Sequence, residues 1–355
     1  MNKILTVVGA RPQFIKASSV SRAIIKSQYF EEVVVHTGQH FDDNMSSIFF
    51  EELSITKPKY NLGIAGASHG LMTGRQLEAI EKVLMVEQPN YVLVYGDTNS
   101  TLAGALAASK MNIPLVHVEA GLRSFNRRMP EEINRILADH VANILFTPTK
   151  TASSNLLKEG ISKDKIINVG DVMYDASLFY KKEACKPSFI DDLGEDFDKF
   201  ILATVHRAEN TDNPDRLRKI FKGLSASLLP VIMPLHPRTK SCLVEFNIEL
   251  SSNIHLLDPV GYLEMIWLES NCHIVCTDSG GLQKEAYFFH KPCITMRDET
   301  EWVELVDSGW NILVGCDDKA IKNGISNFDS PNSYGELYGH GNSADLIIDE
   351  LIDRS

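Results

Sequence analysis

The chain has 355 residues, of which 44% are hydrophobic and 23% are charged, and its formal net charge at pH 7 is −12. This length exceeds one ordinary hydrophobic core, so we expect two domains. The acidic balance argues against a nucleic-acid partner, although it leaves room for a local basic pocket. No stretch approaches the roughly 20 apolar residues that cross a bilayer. Residues 1–10 are too short for the apolar segment and cleavage site of a signal peptide, so we expect a soluble cytoplasmic protein.

Strand-like and helix-like segments alternate along the first half of the chain. The predicted strands are 4–8, 32–37, 91–95, 113–118, 144–147 and 166–169. The predicted helices are 14–25, 46–53, 101–109, the segment after residue 130, and 152–159. Nearly continuous apolar strands in this βα alternation are typical of a doubly wound parallel sheet. The glycine-rich stretch 61–74 predicts a mobile loop near the site.

A charged stretch around Pro187, residues 181–198, is the predicted linker. Strands then resume at 200–204, 229–233, 254–257, 273–277, 293–296 and 312–314. We therefore predict two Rossmann-like domains, 1–180 and 199–342, with a crevice between them. The final helix, within 343–355, is amphipathic and could pack back across the linker.

The stretch 116–134, V-H-V-E-A-G-L-R-S-F-N-R-R-M-P-E-E-I-N, places a carboxylate at the end of a strand. Glu119 follows the apolar run, where a carboxylate is costly unless it has a partner or a task. Pro130 with Glu131 and Glu132 behind it indicates a helix start. In open α/β sheets, ligands bind at the carboxyl ends of the strands. We expect Glu132 only to complement the helix dipole.

Two other acid–base candidates follow strands. Asp97 comes after strand 91–95, where a helix cap and a catalytic acid explain it equally well. His206 follows the first strand of the second domain. A lone histidine there is more often structural, but a protonatable group facing phosphate suits a leaving-group role.

Phosphate-binding features occur in both domains. A strand ends at Thr277, and Ser279, Gly280 and Gly281 lead into a helix whose N–H groups suit phosphate. Glu285 could accept hydrogen bonds from ribose. The alternative is an ordinary N-cap with a tight turn. After the first strand, Arg11 and Lys16 could hold a diphosphate or face water as surface charges.

Metal and dinucleotide sites are not predicted. Cys272 and Cys276 flank His273, but the spacing of the cysteines fits no zinc motif, so we expect buried free thiols. The segment 339–344 matches G-x-G-x-x-A without the strand that a dinucleotide site requires. No G-x-x-x-x-G-K-[ST] is present, which argues against a P-loop phosphotransferase.

Eight motifs in order resemble the UDP-N-acetylglucosamine 2-epimerase family, which has the GT-B fold. They are G-A-R-P-Q-F-I-K, H-T-G-Q-H, Y-G-D-T-N-S-T-L-A-G-A, H-V-E-A-G-L-R, P-E-E-I-N-R, H-R-A-E-N, D-S-G-G-L-Q-K-E-A and Y-G-H-G. The chain is most similar to the branch that inverts C2 of UDP-2,3-diacetamido-2,3-dideoxy-D-glucuronate. That branch supplies a mannuronate for bacterial lipopolysaccharide O-antigen.

The resemblance implies a cytoplasmic homodimer with a UDP-sugar substrate and no cofactor. A base removes the C2 proton while UDP leaves C1, and UDP then adds back to the glycal as the opposite face is protonated. The residues expected at the reacting sugar are Asp97, Glu119, Glu131 and His206. Those expected to contact UDP are Arg11, Lys16, Ser279, Gly280, Gly281 and Glu285. Further expected substrate contacts are Gln39, His40, Arg123, Arg127, Arg128, His236 and Arg297.

Three departures from the usual family pattern bear on the substrate. Gln13 stands where a glutamate is usual, and Trp302 where an arginine is usual. The loop 122–130 is short and carries three arginines, at positions 123, 127 and 128. We interpret these changes as favouring a sugar with its own carboxylate, although the last two arginines could instead pair with Glu131 and Glu132 or face water. The alternatives are a hydrolysing or non-hydrolysing UDP-N-acetylglucosamine 2-epimerase and a GT-B glycosyltransferase.

Overall fold

A computed structural model of the chain describes residues 2–39, 56–192 and 199–355. The chain divides into two compact units: unit 1 comprises Met1–Ala176 and Glu336–Ser355, and unit 2 comprises Ser177–Gly335. The sequence analysis predicted domain boundaries near residues 180 and 342.

Unit 1 contains a parallel sheet of seven strands among its described residues, in the order β3-β2-β1-β4-β5-β6-β7. Apolar runs such as Y-V-L-V-Y in β4 are buried throughout, as expected for a parallel sheet covered on both faces. The order reverses beside β1, which pairs with both β2 and β4. The strands are β1 Asn2–Val8, β2 Phe30–His36, β3 Tyr60–Asn61, β4 Tyr91–Tyr95, β5 Leu115–Val118, β6 Ile144–Thr147 and β7 Ile166–Asn168.

The helices of unit 1 begin with recognisable signals. Thr98 caps α3 by accepting the Thr101 N–H at 3.2 Å, and Pro130 opens α4. The helices are α1 Arg11–Ser27, α2 His69–Glu87, α3 Asn99–Lys110, α4 Pro130–Val141, α5 Lys150–Lys158 and α6 Val172–Tyr180, the last of which leads into unit 2.

The second helix corrects one sequence expectation. The glycine-rich stretch 61–74 was predicted to be a loop, but α2 already begins at His69. Its apolar residues Ile80, Val83 and Leu84 are buried in the core, and the helix includes Gly70 and Gly74 of that stretch. The helix predicted at 46–53 lies outside the described residues.

Unit 2 contains a six-stranded parallel sheet among its described residues, in the order β10-β9-β8-β11-β12-β13. Apolar clusters cover it, one around Ile201 and Ile294 and another around Leu202 and Val275. Its strands are β8 Ile201–Thr204, β9 Val231–Pro234, β10 Ile254–Leu257, β11 Ile274–Thr277, β12 Cys293–Thr295 and β13 Asn311–Leu313. Its helices are α7 Phe189–Asp192, α8 Ala208–Thr211, α9 Pro214–Ser225, α10 Pro237–Glu245, α11 Tyr262–Asn271, α12 Gly280–Phe288, α13 Val303–Asp307 and α14 Asp318–Asn327.

The last helix, α15 (Ser343–Asp353), returns to unit 1 and packs on α1. It buries Ile347, Ile348 and Leu351. The carboxylate of Asp175 accepts a hydrogen bond from the Ala344 N–H at 2.7 Å, near the start of this helix.

The prediction of an α/β protein with two doubly wound parallel sheets is confirmed. Across the described ranges, no helix is both long enough and apolar enough to cross a membrane.

Candidate active site

In unit 1, Asp97 and Glu119 follow neighbouring strands. Strands β4 and β5 pair with Tyr95 opposite Val118, so both carboxylates leave the same edge of the sheet. Glu119 adopts φ +70°, and its Oε1 lies 2.6 Å from Nζ of Lys16. Both of these side chains are at most 10% exposed. Lys16 was expected to contact the diphosphate, but in this structure its ammonium group pairs with the carboxylate of Glu119.

Asp97 is held by an arginine that the sequence interpretation did not single out. Nη2 and Nε of Arg135 lie 2.7 and 3.0 Å from Oδ2 of Asp97. The cap of the following helix is Thr98, so the structure does not support the helix-cap interpretation of Asp97. The Asp97 side chain is 26% exposed, which leaves it oriented yet accessible.

Glu132 corrects the expectation that it only complements the helix dipole. It is buried, and it accepts the backbone N–H groups of Ser124 and Phe125, both at 2.9 Å. It also lies 3.1 Å from Nη1 of Arg135. Burial raises the pKa of Glu132, but the hydrogen bonds from Ser124 and Arg135 lower it, and the net shift is downward. Glu132 therefore fixes the loop before α4 and positions Arg135.

Glu131, by contrast, is exposed in the first turn of α4. Residues four apart share one face of a helix, so Glu131 lies on the face that carries Arg135 toward Asp97. Glu131 therefore lies one helical turn before the arginine that holds Asp97.

The three loop arginines have different surroundings. Arg123 is buried, with Nη1 2.7 Å from Asp139 and Nε 2.7 Å from Glu159. Because the N–H donors of Arg123 bind groups inside the protein, its role here is structural. The structure does not support the expected substrate contact. Arg127 and Arg128 are exposed, and neither makes an ion pair with another described residue.

The remaining candidates of unit 1 lie near the ends of β1 and β2. Arg11 is half-buried at the first position of α1. Oε1 of Gln39 accepts the N–H and the hydroxyl of Ser100 at 3.1 and 2.7 Å, which ties its loop to α3. His40 lies outside the described residues.

Gln13 connects the start of α1 to β4 and α3 through hydrogen bonds. It is buried, and its Oε1 accepts the N–H groups of Gly9 and Ala10 at 2.8 and 3.1 Å. Its Nε2 donates to Tyr95 O at 2.8 Å and to Thr101 Oγ1 at 2.9 Å. Because all of its polar positions are used within the protein, the structure does not support Gln13 as an indicator of the substrate.

In unit 2, Asp278 organises the loop after β8. This fully buried carboxylate accepts the N–H groups of His206 and Arg207 at 3.1 and 3.0 Å. It also accepts Nδ2 of Asn210 at 3.1 Å. Nδ1 of His206 lies 3.4 Å from Oδ1 of Asp278, so this carboxylate orients the imidazole.

The electrostatic surroundings favour a neutral His206. Burial lowers its pKa, the Asp278 carboxylate opposes that shift, and the neighbouring Arg207 and His236 add to it. The ring of His236 lies 6.2 Å from that of His206. His236 is exposed and caps α10 by accepting the Arg238 N–H at 3.2 Å.

The amino end of α12 carries the predicted phosphate motif. Ser279 is its N-cap and Gly280 its first residue. A Cβ at Gly280 would lie too close to Oε1 of Glu301, so a larger residue at this position would displace the Glu301 side chain. The other carboxylate oxygen of Glu301 lies 3.0 Å from Nη1 of the buried Arg297. The first N–H groups of a helix have no intrahelical partner, so Gly280 and Gly281 can offer theirs to an anion.

Further along the same helix, Glu285 and Lys284 are buried. The ammonium of Lys284 lies 4.3 Å from the ring centroid of Trp302. A cation therefore packs against the face of this aromatic ring.

Comparison with known proteins decides the family. The profile described as UDP-N-acetylglucosamine 2-epimerase matches residues 22–352. The chain belongs to this family. It is 55% identical to the UDP-2,3-diacetamido-2,3-dideoxy-D-glucuronate 2-epimerase of Pseudomonas aeruginosa, over 98% of this chain and 99% of that protein. It is 47% identical to the UDP-N-acetylglucosamine 2-epimerase of Methanococcus maripaludis, over 98% of each chain.

A solved structure gives the same assignment. The UDP-GlcNAc 2-epimerase of Methanocaldococcus jannaschii, in complex with UDP-GlcNAc and UDP, matches with a TM-score of 0.89 and 44% identity, over 99% of each chain. As a member of this family, the protein is a UDP-sugar 2-epimerase, an isomerase with the GT-B fold.

In this epimerase, Cys272, Cys276 and Cys293 are buried free thiols. Burial raises the pKa of all three thiols, that of Cys293 to about 12. In the described part of the chain, no cluster of histidine, cysteine and acidic side chains could hold a metal ion.

The sequence interpretation missed several groups of the candidate site: Arg135, Asp278, and the buried pair of His117 with Asp139. Arg135 could have been found four residues after Glu131, on the same helical face. His117 interrupts the apolar strand V-H-V, and a polar side chain in a buried strand needs a partner.

Proposed function

We propose that this epimerase interconverts UDP-2,3-diacetamido-2,3-dideoxy-D-glucuronate and the corresponding mannuronate. The observation that carries the proposal is the pair of exposed cations at Arg127 and Arg128, just before Glu131. Neither is neutralised by a described carboxylate. Guanidinium groups suit a carboxylate such as the one at C6 of a uronate, because both of its oxygens can be bound at once. The 55% identity to an enzyme named for this substrate supports the same choice.

The proposed mechanism is elimination followed by re-addition. A base takes the C2 proton, the electrons of that C–H bond form the C1=C2 double bond, and the C1–O electrons leave with UDP. The glycal then takes a proton at C2 from the opposite face while UDP re-forms the bond at C1. Because C2 is inverted, proton transfer must reach both faces, which calls for more than one acid–base group.

Unit 1 supplies these groups in the proposal. Asp97, Glu119 and Glu131 are the candidate acids and bases, and the first two are oriented by Arg135 and Lys16. Such positioned groups contribute on the order of 10²–10⁴-fold to a rate.

Unit 2 binds UDP in the proposal. The α12 amino end at Ser279, Gly280 and Gly281 would hold the diphosphate, and Glu285 the ribose. His206 would act on the departing phosphate, whose negative charge favours protonation of its otherwise neutral ring.

Proton NMR in D₂O tests the proposal. Incubating the native enzyme with the diacetamido-glucuronate nucleotide should place deuterium at C2 of both epimers while UDP stays attached. Conversion without label at C2 would overturn the elimination mechanism. Free UDP rising in step with product would instead indicate a hydrolysing epimerase, and turnover only with an added acceptor would indicate a glycosyltransferase.

A second candidate substrate is UDP-N-acetylglucosamine. It is favoured by the 47% identical relative and by the M. jannaschii enzyme, whose structure contains it. Comparing kcat/KM for the two nucleotide sugars decides between them.

We further propose that the enzyme works as a cytoplasmic homodimer and supplies surface-polysaccharide synthesis such as that of O-antigen. Light scattering of the purified protein tests the dimer, and a mass near the 39.6 kDa of one chain would contradict it.

A further inference from the structure

A histidine buried beneath the candidate carboxylates lies between two hydrogen-bond acceptors. His117 is in β5 and is fully buried. Its Nδ1 lies 2.7 Å from Oδ1 of Asp139, and its Nε2 lies 2.7 Å from the carbonyl oxygen of Gly96. A carbonyl oxygen only accepts, so Nε2 must carry a proton.

The other neighbour of the ring is also an acceptor. Oδ2 of Asp139 accepts the Gly121 N–H at 3.1 Å and lies 2.7 Å from Nη1 of Arg123. The Gly121 N–H and the Arg123 guanidinium can only donate, so Oδ2 carries no proton. The positive charge of Arg123 stabilises Asp139 as a carboxylate, and Nδ1 of His117 donates to its other oxygen.

We propose that His117 is a buried imidazolium and that, with Asp139, it forms a charged brace that positions Asp97 and Glu119. In this proposal, His117 and Asp139 are positioning residues. This inference rests on the proposed function, because it assigns how two of the proposed acid–base groups are held in place.

The brace connects the two turns that carry these carboxylates. At one end it holds the carbonyl of Gly96, the residue immediately before Asp97, where the chain turns with φ +60°. At the other end it holds the N–H of Gly121, two residues after Glu119. Glu119 has φ +70°, a conformation that a residue with a side chain keeps only when its surroundings enforce it.

The charge of the brace is balanced within the protein. Asp139 faces His117 on one oxygen and Arg123 on the other, and Arg123 continues to Glu159 at 2.7 Å. The Glu159 side chain is 26% exposed, so the chain of charges ends at the surface. A buried ion is tolerated when it is paired in this way, and removing one partner leaves an uncompensated charge.

The charge state can be tested directly by nitrogen-15 NMR of the histidine rings in the native protein, with His117→Gln assigning the resonances. We expect both ring nitrogens of His117 to be protonated at neutral pH, and one of them to lose its proton in Asp139→Asn. A neutral tautomer in the native protein would overturn the proposal.

The positioning role is tested by kinetics. Misplacing a reacting group by about 1 Å can cost about 10²-fold in rate, so His117→Gln and Asp139→Asn should lower kcat by about that factor while KM changes little. The matched control is Glu87→Gln. Glu87 is a buried acid of the same unit, and it pairs with Lys3 at the start of β1 at 2.8 Å. This variant should lose stability without the loss in kcat.

An unchanged kcat in His117→Gln, an equal loss of kcat in Glu87→Gln, or a loss confined to KM would each overturn the brace. If His117→Gln does not fold, Asp139→Asn decides, because asparagine still offers an oxygen to the Gly121 N–H. These experiments distinguish a failure of the proposed function from a failure of the proposed brace. A native enzyme without C2 exchange defeats the proposed function, whereas an active native enzyme with fully active variants defeats only the brace.

Discussion

Asp97, Glu119 and Glu131 differ in what surrounds their carboxylates. Glu119 is buried beside Lys16, Asp97 is partly exposed beside Arg135, and Glu131 is exposed. A carboxylate held by a fixed cation is well oriented, whereas an exposed one adapts to the bound sugar. These differences suit the proposed mechanism, in which the acid–base groups serve opposite faces of one carbon.

Amide variants of these residues should each lose turnover. Asp97→Asn, Glu119→Gln and Glu131→Gln keep the volume of the side chain but remove the proton-transfer group, so kcat should fall by roughly 10²-fold or more. The measurement is the rate of epimer formation at saturating substrate. Glu78→Gln is the control, because Glu78 is an exposed acid on α2 paired with Lys82. A variant with native turnover would exclude that residue from the acid–base set.

At the scale of elements, the sequence predicted where the strands end. It did not predict which side chains would form ion pairs with the carboxylates that follow those strands. Apolar runs ending at Tyr95 and Val118 placed Asp97 and Glu119 at one sheet edge, because parallel strands point the same way. Which cation meets which carboxylate depends on how each helix is rotated against the sheet. Lys16 and Glu119 are 103 positions apart, and no local pattern connects them.

In the loop 122–130, the sequence likewise did not predict which partner each arginine would have. Three arginines in one stretch suggested one role, but the structure turns Arg123 inward to Asp139 and leaves Arg127 outside. That division arises because Glu132 binds the backbone N–H groups of the intervening residues Ser124 and Phe125. Side-chain direction within a loop follows from such long-range hydrogen bonds, which composition does not reveal.

The docking of the C-terminal helix should depend on pH. Burial raises the pKa of Asp175 to about 6, against the favourable hydrogen bond from Ala344 N–H. The ordinary value is 3.8, so between about pH 4 and 6 the folded protein binds more protons than the unfolded chain. The free energy of unfolding therefore decreases as pH rises through this window, by about 1–3 kcal/mol.

Asp175→Asn should remove this dependence, because asparagine still accepts the Ala344 N–H and carries no charge. In urea titrations the variant should match the native protein near pH 4 and exceed its stability at pH 7 by about 1–3 kcal/mol. Asp345→Asn, a substitution in α15 itself, is the control. It removes an exposed ion pair with Lys26 and should destabilise only slightly, by about 0–1 kcal/mol. Equal stabilities of Asp175→Asn and the native protein at pH 7 would contradict the prediction.

At the scale of the whole molecule, an acidic protein is proposed to bind an anionic substrate. The formal net charge of −12 repels a nucleotide sugar at long range. Binding must therefore depend on local groups that outweigh this field, such as the α12 amino end and exposed arginines. A uronate carries one more negative charge than UDP-N-acetylglucosamine, so it should depend more strongly on those arginines.

The corresponding prediction concerns specificity. If Arg127 or Arg128 pairs with the C6 carboxylate in a partly desolvated site, its removal leaves that charge unpaired, at a cost of about 2–5 kcal/mol. Arg127→Ala or Arg128→Ala should therefore lower kcat/KM for the diacetamido-uronate far more than for UDP-N-acetylglucosamine. The native enzyme should turn over the neutral sugar poorly, because it leaves the arginine unmatched and the space at C3 empty.

Arg354→Ala is the matched control for this pair of measurements, since it removes the same charge from the whole molecule at an exposed position just after the C-terminal helix. An effect of net charge alone would appear in Arg354→Ala as strongly as in Arg127→Ala, whereas a direct contact would appear only in the latter. Comparable kcat/KM for both sugars in the native enzyme would defeat the uronate assignment. The 2-epimerase assignment would stand, because it depends on the family and not on these arginines.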